Sequence, residues 1–195
     1  MNTEDIVLYN TEETIKVAPT AEKVETFDLV PPDHPALYKV LPEFDFENAP
    51  INPNSFASTL VETCRKHNGI GLSANQCGVF ERVFVIGTDH FQIACINPRI
   101  IGKAPSTIKE SEGCLSYPGL YVKIDRPDWV DVEFIDETGT LKQMRLEGIT
   151  ARCFQHELDH MNGIRMVDHV GPVALQMARK KQEKVIKKII RHKKK

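Results

Sequence analysis

The sequence lacks a long uninterrupted run of apolar residues, and it opens on a polar, acidic segment. A helix that crosses a membrane needs about 20 consecutive apolar residues, so stable membrane insertion is not expected. A secretory leader begins with basic residues followed by an apolar core, and the opening segment has neither. We therefore expect a cytoplasmic protein.

Cysteine is scarce, and the 5 cysteines are scattered through 195 residues. An odd, dispersed set does not suit a disulfide framework and favours reduced thiols. The sequence also lacks internal repeats and low-complexity linkers. Its length and composition suit one globular domain with tails, which we expect to be a monomer.

A net positive charge is confined to the end of the chain. Residues 179–195 carry ten Lys or Arg and one Glu, a net charge of +9. The whole chain carries −2, which leaves −11 on the remaining residues. We expect no DNA binding by the acidic body, and an anionic partner would meet the basic end.

Hydrophobic periodicity predicts an α+β fold, in which antiparallel β-sheets pack around a central helix. Asn52-Pro53 predicts the start of an N-terminal helix over residues 53–67. Short apolar runs predict strands at 83–86, at 93–96, within 100–112, at 120–124, at 129–135 and around 141–146. A helix from Gly148 to Asn162 is apolar on two sides, which indicates that other elements surround it.

These patterns divide the chain into three parts. We expect residues 1–32 to form an acidic N-terminal extension and residues 33–170 to form the main folded domain. Residues 171–195 form a basic C-terminal helix, which begins at Gly171-Pro172.

The sequence from His156 to His160 (HELDH) is an HExxH motif, which binds a metal when it lies on a helix. The two histidines are then one turn apart on the same face. Glu157 lies between them and can hold a water molecule near the metal.

The third ligand is not fixed by this motif. One common completion would need a histidine where Met166 stands, and methionine is a poor ligand for a hard divalent ion. Another would need a downstream glutamate, but that residue is Glu183 in the basic tail. Cys114 is the better candidate because a Cys-His-His set leaves a position open, although a lone cysteine is more often a buried apolar residue.

Three segments read together carry a family resemblance. Residues 69–76 (GIGLSANQ), 112–116 (EGCLS) and 155–160 (QHELDH) occur in this order. They resemble the three signature motifs of the peptide deformylase family, and the resemblance covers about residues 33–170. It implies a hydrolase that removes the N-formyl group from the initiator methionine of nascent polypeptides.

The resemblance also implies a role for each matched residue. The implied metal ligands are Cys114, His156 and His160, and Glu157 is the implied general acid and base. The side-chain amide of Gln76 and the backbone N–H of Leu115 would form the oxyanion hole. Substrate contacts are implied for Gly69, Ile70, Gly71, Gly113 and Cys153. The implied cofactor is one divalent metal ion, usually Fe²⁺, although the ligand set also suits Zn²⁺, Ni²⁺ or Co²⁺.

The sequence departs from the common family pattern at two positions near the substrate. Arg152 stands where an apolar pocket residue is frequent, so we expect a different pocket rim. Tyr121 stands where many bacterial members have an arginine near the substrate backbone.

Other functions remain open at this point. A zinc endopeptidase could use the same helix, and an RNA-binding accessory module could use the metal as a structural element. Basic C-terminal helices of bacterial family members often bind the ribosome, and the same contact is expected here. A helix that is merely solvated, or that lies on a membrane surface, is the alternative.

Overall fold

The computed structural model describes residues 25–88 and 91–193 of the chain. Its helices and strands are α1 (Pro53–Lys66), β1 (Gly71–Ser73), β2 (Val83–Thr88), β3 (Phe91–Lys103), β4 (Thr107–Gly113), β5 (Tyr121–Pro127), β6 (Trp129–Ile135), β7 (Leu141–Glu147), α2 (Gly148–Met161) and α3 (Pro172–Lys193). Short 3-10 helices lie at Pro35–Tyr38, Ala74–Cys77 and Met166–His169.

The strands form two antiparallel sheets. One sheet has the order β1-β2-β3-β6-β7, and β4 and β5 form the other. The predicted alternation in β6 is confirmed, because Val130, Val132 and Phe134 are buried while their neighbours are only partly covered. The turn at Asp136 to Gly139 joins β6 to β7 in register. The α+β class predicted from the sequence is confirmed.

The motif helix α2 lies between the sheets and contacts β1, β2, β5, β6 and β7. Its apolar side chains Ala151, Phe154 and Met161 are fully buried. The Phe154 ring packs edge-on against Phe84, with the ring centroids 5.0 Å apart. Burying a large apolar side chain stabilises a fold by roughly 1.5 to 3 kcal/mol. This packing fixes the face of α2 that carries the histidines.

The first helix begins at the predicted Pro53 and ends at Lys66, one residue before the predicted end. The Asn52 side chain accepts the Ser55 N–H at 3.1 Å, and Pro53 occupies the first helical position. Such a cap typically contributes about 1 kcal/mol. Asn68 has a φ of 55° just after the helix, and this left-handed residue directs the chain toward Gly69 and β1.

Two predicted strands differ from the structure. The predicted strands at 93–96 and from residue 100 are one long strand, β3, with irregular pairing beyond Ile96. Pro98 is tolerated there because a bulge needs no ladder hydrogen bond from it. Ala104 is no longer in a strand, so β4 begins separately at Thr107.

The part of the predicted N-terminal extension that the structure describes lies against the body. The Phe27 N–H donates to Thr63 Oγ1 at 2.9 Å, and the Val30 N–H donates to the Gln76 carbonyl at 2.8 Å. Phe27 also packs against Phe56 of α1. Residues 1–24 lie outside the described residues.

The C-terminal helix packs on the two-stranded sheet through its first turns. Leu175 and Ala178 contact a small core that includes Tyr117 and Leu120. Gln182 Nε2 donates to the Pro118 carbonyl at 2.7 Å. Within residues 25–88 and 91–193, none of the helices is both long enough and apolar enough to cross a bilayer.

Candidate metal centre and substrate cavity

One cavity of about 570 Å³ collects nearly all of the predicted site residues. Its lining includes Gly69, Ile70, Gly71, Gln76, Gly113, Cys114, Leu115, Cys153, His156 and Glu157. His160 lies next to this lining, with its Nε2 atom 3.3 Å from Cys114 Sγ. The three sequence motifs therefore meet at one place in the fold.

The three candidate metal ligands converge. One ligand atom each from Cys114, His156 and His160 lies within 4.8 Å of the other two. The two imidazole rings meet edge-on, with their centroids 5.1 Å apart. This is the arrangement expected of histidines one helical turn apart. Met166 is 2% exposed and packs in an apolar core cluster with Leu120 and Val122, so we interpret it as a packing residue.

The chemistry of these donors suits a borderline divalent metal ion. One thiolate and two neutral imidazoles match Fe²⁺, Zn²⁺, Ni²⁺ or Co²⁺, whereas Mg²⁺ and Ca²⁺ prefer oxygen ligands. His156 Nδ1 lies 3.0 Å from Glu112 Oε2. A carboxylate can only accept a hydrogen bond, so Nδ1 carries the proton and Nε2 is left to bind metal. The residues present therefore fit the metal that the motif predicts.

Glu157 is placed for proton transfer. Its side chain is buried, and Oε2 has no hydrogen-bond partner among the described residues. Burial raises the pKa of Glu157 to about 7, and the nearby His156 opposes this rise. A carboxylate whose pKa lies near neutrality can both take up and release a proton under working conditions.

The Gln76 amide is oriented toward the candidate ligands. Its Oε1 atom accepts the Ser73 N–H at 2.9 Å, so the amide nitrogen must point the other way. Nε2 lies 3.1 Å from Ser116 Oγ and 3.4 Å from Cys114 Sγ. The amide thus presents its N–H groups beside Cys114, where a developing oxyanion would need a donor.

Strand β1 supplies a free sheet edge beside this site. It pairs with β2 on one side and has no strand on the other within the described residues. Such an edge can accept an extended peptide as an added strand. Gly71 starts β1, and a Cβ atom there would lie 2.6 Å from both Cys153 Sγ and Glu157 Oε1. Glycine is therefore required where the strand passes Glu157.

We expect Gly71→Ala to lower the deformylase activity that the sequence resemblance implies by roughly 100-fold, measured as formate release, since small displacements of reacting groups can cost this much. The added methyl group would displace the Glu157 carboxylate or the edge strand. Gly171→Ala is the matched control, because a Cβ atom there meets nothing within 4 Å. Steady-state kinetics with both variants checks the prediction, and equal rates for the two would contradict it.

Sequence reasoning missed the charged residues behind His156. Arg126 Nε donates to Glu112 Oε1 at 2.7 Å, and Arg152 Nη1 donates to the same oxygen at 2.7 Å. Arg126 also donates to Asp159 Oδ2 at 2.8 Å. Burial raises the pKa of Glu112, but hydrogen bonds from His156 and Arg126 outweigh it and lower this pKa to about 2. The one available signal is the strand period, which places Arg126 on the buried face of β5.

Arg152 does not change the pocket in the way that the sequence predicts. Its side chain borders the cavity, but only 7% of that side chain is exposed. The guanidinium is bound to Glu112 inside the protein, so it is not part of an exposed rim. Tyr121 is exposed and lies over Gly113, where a Cβ atom would be 2.8 Å from its ring.

A buried HExxH helix, a nearby cysteine ligand and a cavity along a free sheet edge define a metal-dependent hydrolase. The family model described as "Polypeptide deformylase" matches residues 27–176 of the chain. The chain belongs to this family.

Individual relatives agree with this assignment. A peptide deformylase of Mesorhizobium japonicum is 35% identical over 164 residues, which cover 82% of this chain and 92% of the relative. The structure of a peptide deformylase from Legionella pneumophila has a TM-score of 0.74 and 32% identity, and covers 86% of this chain and 99% of that chain. A Synechococcus elongatus peptide deformylase in complex with actinonin also has a TM-score of 0.74, with 31% identity over 80% of this chain and 88% of that chain.

Proposed function

We propose that this chain removes the N-formyl group from the formylmethionine of nascent polypeptides and releases formate. The observation that carries the proposal is the meeting of Cys114, His156 and His160 beside the buried carboxylate of Glu157. Family membership supports the same reaction. No comparison favours a zinc endopeptidase or an accessory module with a structural metal.

Cys114, His156 and His160 would hold one divalent ion, and we propose Fe²⁺ as the native metal. When bound, the ion supplies Lewis acidity toward the formyl oxygen and toward a nucleophilic water molecule. Analysis of protein purified without oxygen and without added metal tests the choice of Fe²⁺. Stoichiometric zinc with full activity, and no iron, would contradict it.

Glu157 and the donors near it perform the remaining steps. Glu157 takes a proton from the attacking water and later gives it to the departing amine. The Gln76 amide and the Leu115 N–H donate to the formyl oxygen as it gains charge. One such donor is typically worth roughly 3 to 4 kcal/mol in the transition state.

The substrate chain would lie along the edge of β1 and along Gly69 and Ile70, which precede that strand. An extended peptide there gains main-chain hydrogen bonds that do not depend on its sequence. The cavity between this edge and Gly113 would receive the methionine side chain, with Ile70 and Cys153 as apolar contacts. This arrangement leaves the residues after methionine free to vary, as nascent polypeptides require.

The function is tested by formate release from a formyl-Met peptide, with the protein loaded with Fe²⁺ or Ni²⁺. We expect release of formate and no cleavage of internal peptide bonds. Two control peptides are used. The same peptide without the formyl group should release no formate, and a longer unformylated peptide reports cleavage of internal bonds. Cleavage of internal bonds without formate would establish the endopeptidase instead.

We propose that the basic C-terminal helix directs the enzyme to the ribosome, and that the protein is a cytoplasmic monomer. Arg179, Lys180, Lys181, Lys184 and Lys187 are all exposed. Cations clustered on one helix bind the phosphates of RNA with an affinity that falls steeply with salt. Binding near the growing chain would place the cavity close to each new formylated end.

Truncation after Gln182 tests this proposal sharply. It removes seven Lys or Arg and one Glu, and it keeps the Gln182 contact with Pro118 at the cavity. We expect ribosome co-sedimentation to fall at least about tenfold at 100 mM salt, while turnover of short peptides is unchanged. The control is Lys→Gln substitution at four exposed lysines of the body: Lys103, Lys109, Lys123 and Lys142. Equal co-sedimentation of truncated and full-length protein would contradict ribosome binding by the helix.

A further inference from the structure

A buried cluster of charges lies behind the candidate metal ligands, and it includes Arg152. Its Nη1 donates to Glu112 Oε1 at 2.7 Å and to the Ile124 carbonyl at 3.1 Å. Its Nη2 donates to the Ile108 carbonyl at 2.7 Å, and its Nε lies 3.0 Å from Glu110 Oε2. One side chain on α2 is thus bound to both β4 and β5.

Glu112 connects this guanidinium to a ligand. Its Oε1 accepts from Arg152 and its Oε2 accepts from His156 Nδ1, so the carboxylate lies directly between them. The orientation of a metal-binding imidazole depends on the group that holds its other nitrogen. Movement of Glu112 would therefore rotate His156 away from Cys114 and His160.

The second arginine in the cluster, Arg126, binds Asp159 as well as Glu112. Arg126 donates to both Glu112 oxygens, but its Nη1 donates to Asp159 Oδ2 at 2.8 Å. Asp159 in turn lies 2.7 Å from His169 Nε2. The guanidinium of Arg126 therefore shares its hydrogen bonds between two carboxylates, those of Glu112 and Asp159. The other carboxylate near Arg152 is that of Glu110, whose side chain is 56% exposed. Water therefore weakens the attraction between this carboxylate and the guanidinium.

We propose that Arg152 is a positioning residue for the metal ligand His156 and acts through Glu112. The inference rests on the proposed ligand set. The inference gives Arg152 a function at a position where an apolar pocket residue is frequent in the family. Removing Arg152 leaves Glu112 buried with fewer donors, and it leaves the Ile108 carbonyl without this donor, so the carboxylate is free to shift.

The test uses full-length protein with Arg152→Met and Arg152→Lys. The dissociation constant for Ni²⁺ is measured by competition with a chromophoric chelator, alongside the melting temperature, kcat and KM. We expect Arg152→Met to weaken Ni²⁺ binding about tenfold or more, the range found for groups that hold metal ligands in place. Arg152→Lys should be intermediate, since an ammonium can reach Glu112 but cannot also span to the Ile108 carbonyl. KM of the metal-saturated variants should be unchanged.

Arg145→Met is the matched control, because Arg145 pairs with Asp131 and stacks on Trp129 at the surface. It should leave Ni²⁺ binding unchanged. A lower melting temperature with an unaltered Ni²⁺ dissociation constant in Arg152→Met and Arg152→Lys would overturn the proposal. If Arg152→Met does not fold, an unaltered constant in Arg152→Lys alone decides against it. Formate release by the wild-type protein is measured separately. Its absence would contradict the proposed function, whereas the Ni²⁺ dissociation constants of the variants test only the role of Arg152.

Discussion

Glu157→Gln is expected to reduce kcat for formate release by roughly 10² to 10⁴, which is the usual contribution of a positioned acid or base. This range corresponds to about 3 to 5 kcal/mol of activation free energy. The amide has nearly the shape of the carboxylate but cannot accept a proton from water. Because Glu157 is not one of the three converging ligands, metal content should stay at the wild-type level, and KM should change little.

The measurement combines single-turnover formate release with metal analysis of the same sample. Glu43→Gln is the control, because Glu43 is an exposed acid that pairs with Arg99 away from the cavity. It should retain wild-type kcat. If Glu157→Gln keeps kcat within about threefold of wild type while holding its metal, the proton carrier is another group.

Local patterns were sufficient wherever neighbours in sequence determine structure. Asn52-Pro53 predicts the start of α1 because a cap acts within one turn. Alternation predicts β6 because one face of a sheet is buried. The HExxH spacing places His156 and His160 on one helical face, which depends only on helix geometry. The same reasoning could not place Cys114, which needed the family resemblance.

Contacts between residues far apart in sequence are not marked by any periodicity in the sequence. Glu112 and Arg152 are separated by 40 positions, and no periodicity links a strand end to a helix. A partial signal existed in β5, where Arg126 follows Val122 and Ile124 on the buried face. A buried arginine requires an acidic partner. The partner could not be chosen from sequence, because many acids were available and only the fold decides which is near.

The break between β3 and β4 was missed for a related reason. The sequence predicted one strand within residues 100–112, whereas this stretch holds the end of β3 and most of β4. In the structure, β4 pairs with β5 instead of joining the large sheet. This separation is what brings Glu112 and Cys114 to the motif helix. The prediction failed at the point where tertiary pairing, rather than propensity, determines the strand ends.

Cys114→Ala is expected to weaken divalent metal binding by more than about 100-fold, since even groups behind the ligands change affinity 10- to 100-fold. The substitution removes the one thiolate from the Cys-His-His set and leaves two imidazoles, which is too few for a stable site. Formate release should fall with metal occupancy. Excess Ni²⁺ should restore only part of it, because the Gln76 amide also loses the sulfur atom beside it.

The experiment titrates metal-free protein with Ni²⁺ and follows binding and activity together. Cys77→Ala is the control, because Cys77 is half-buried and packs in a different cluster from Cys114. It removes a thiol of the same size and should keep wild-type affinity. Wild-type metal affinity in Cys114→Ala would mean that another residue is the third ligand. Loss of affinity in both variants would point to a general effect of thiol removal, because the two cysteines pack in different core clusters. Among the described residues, Cys114 is the cysteine that converges with both imidazoles within 4.8 Å.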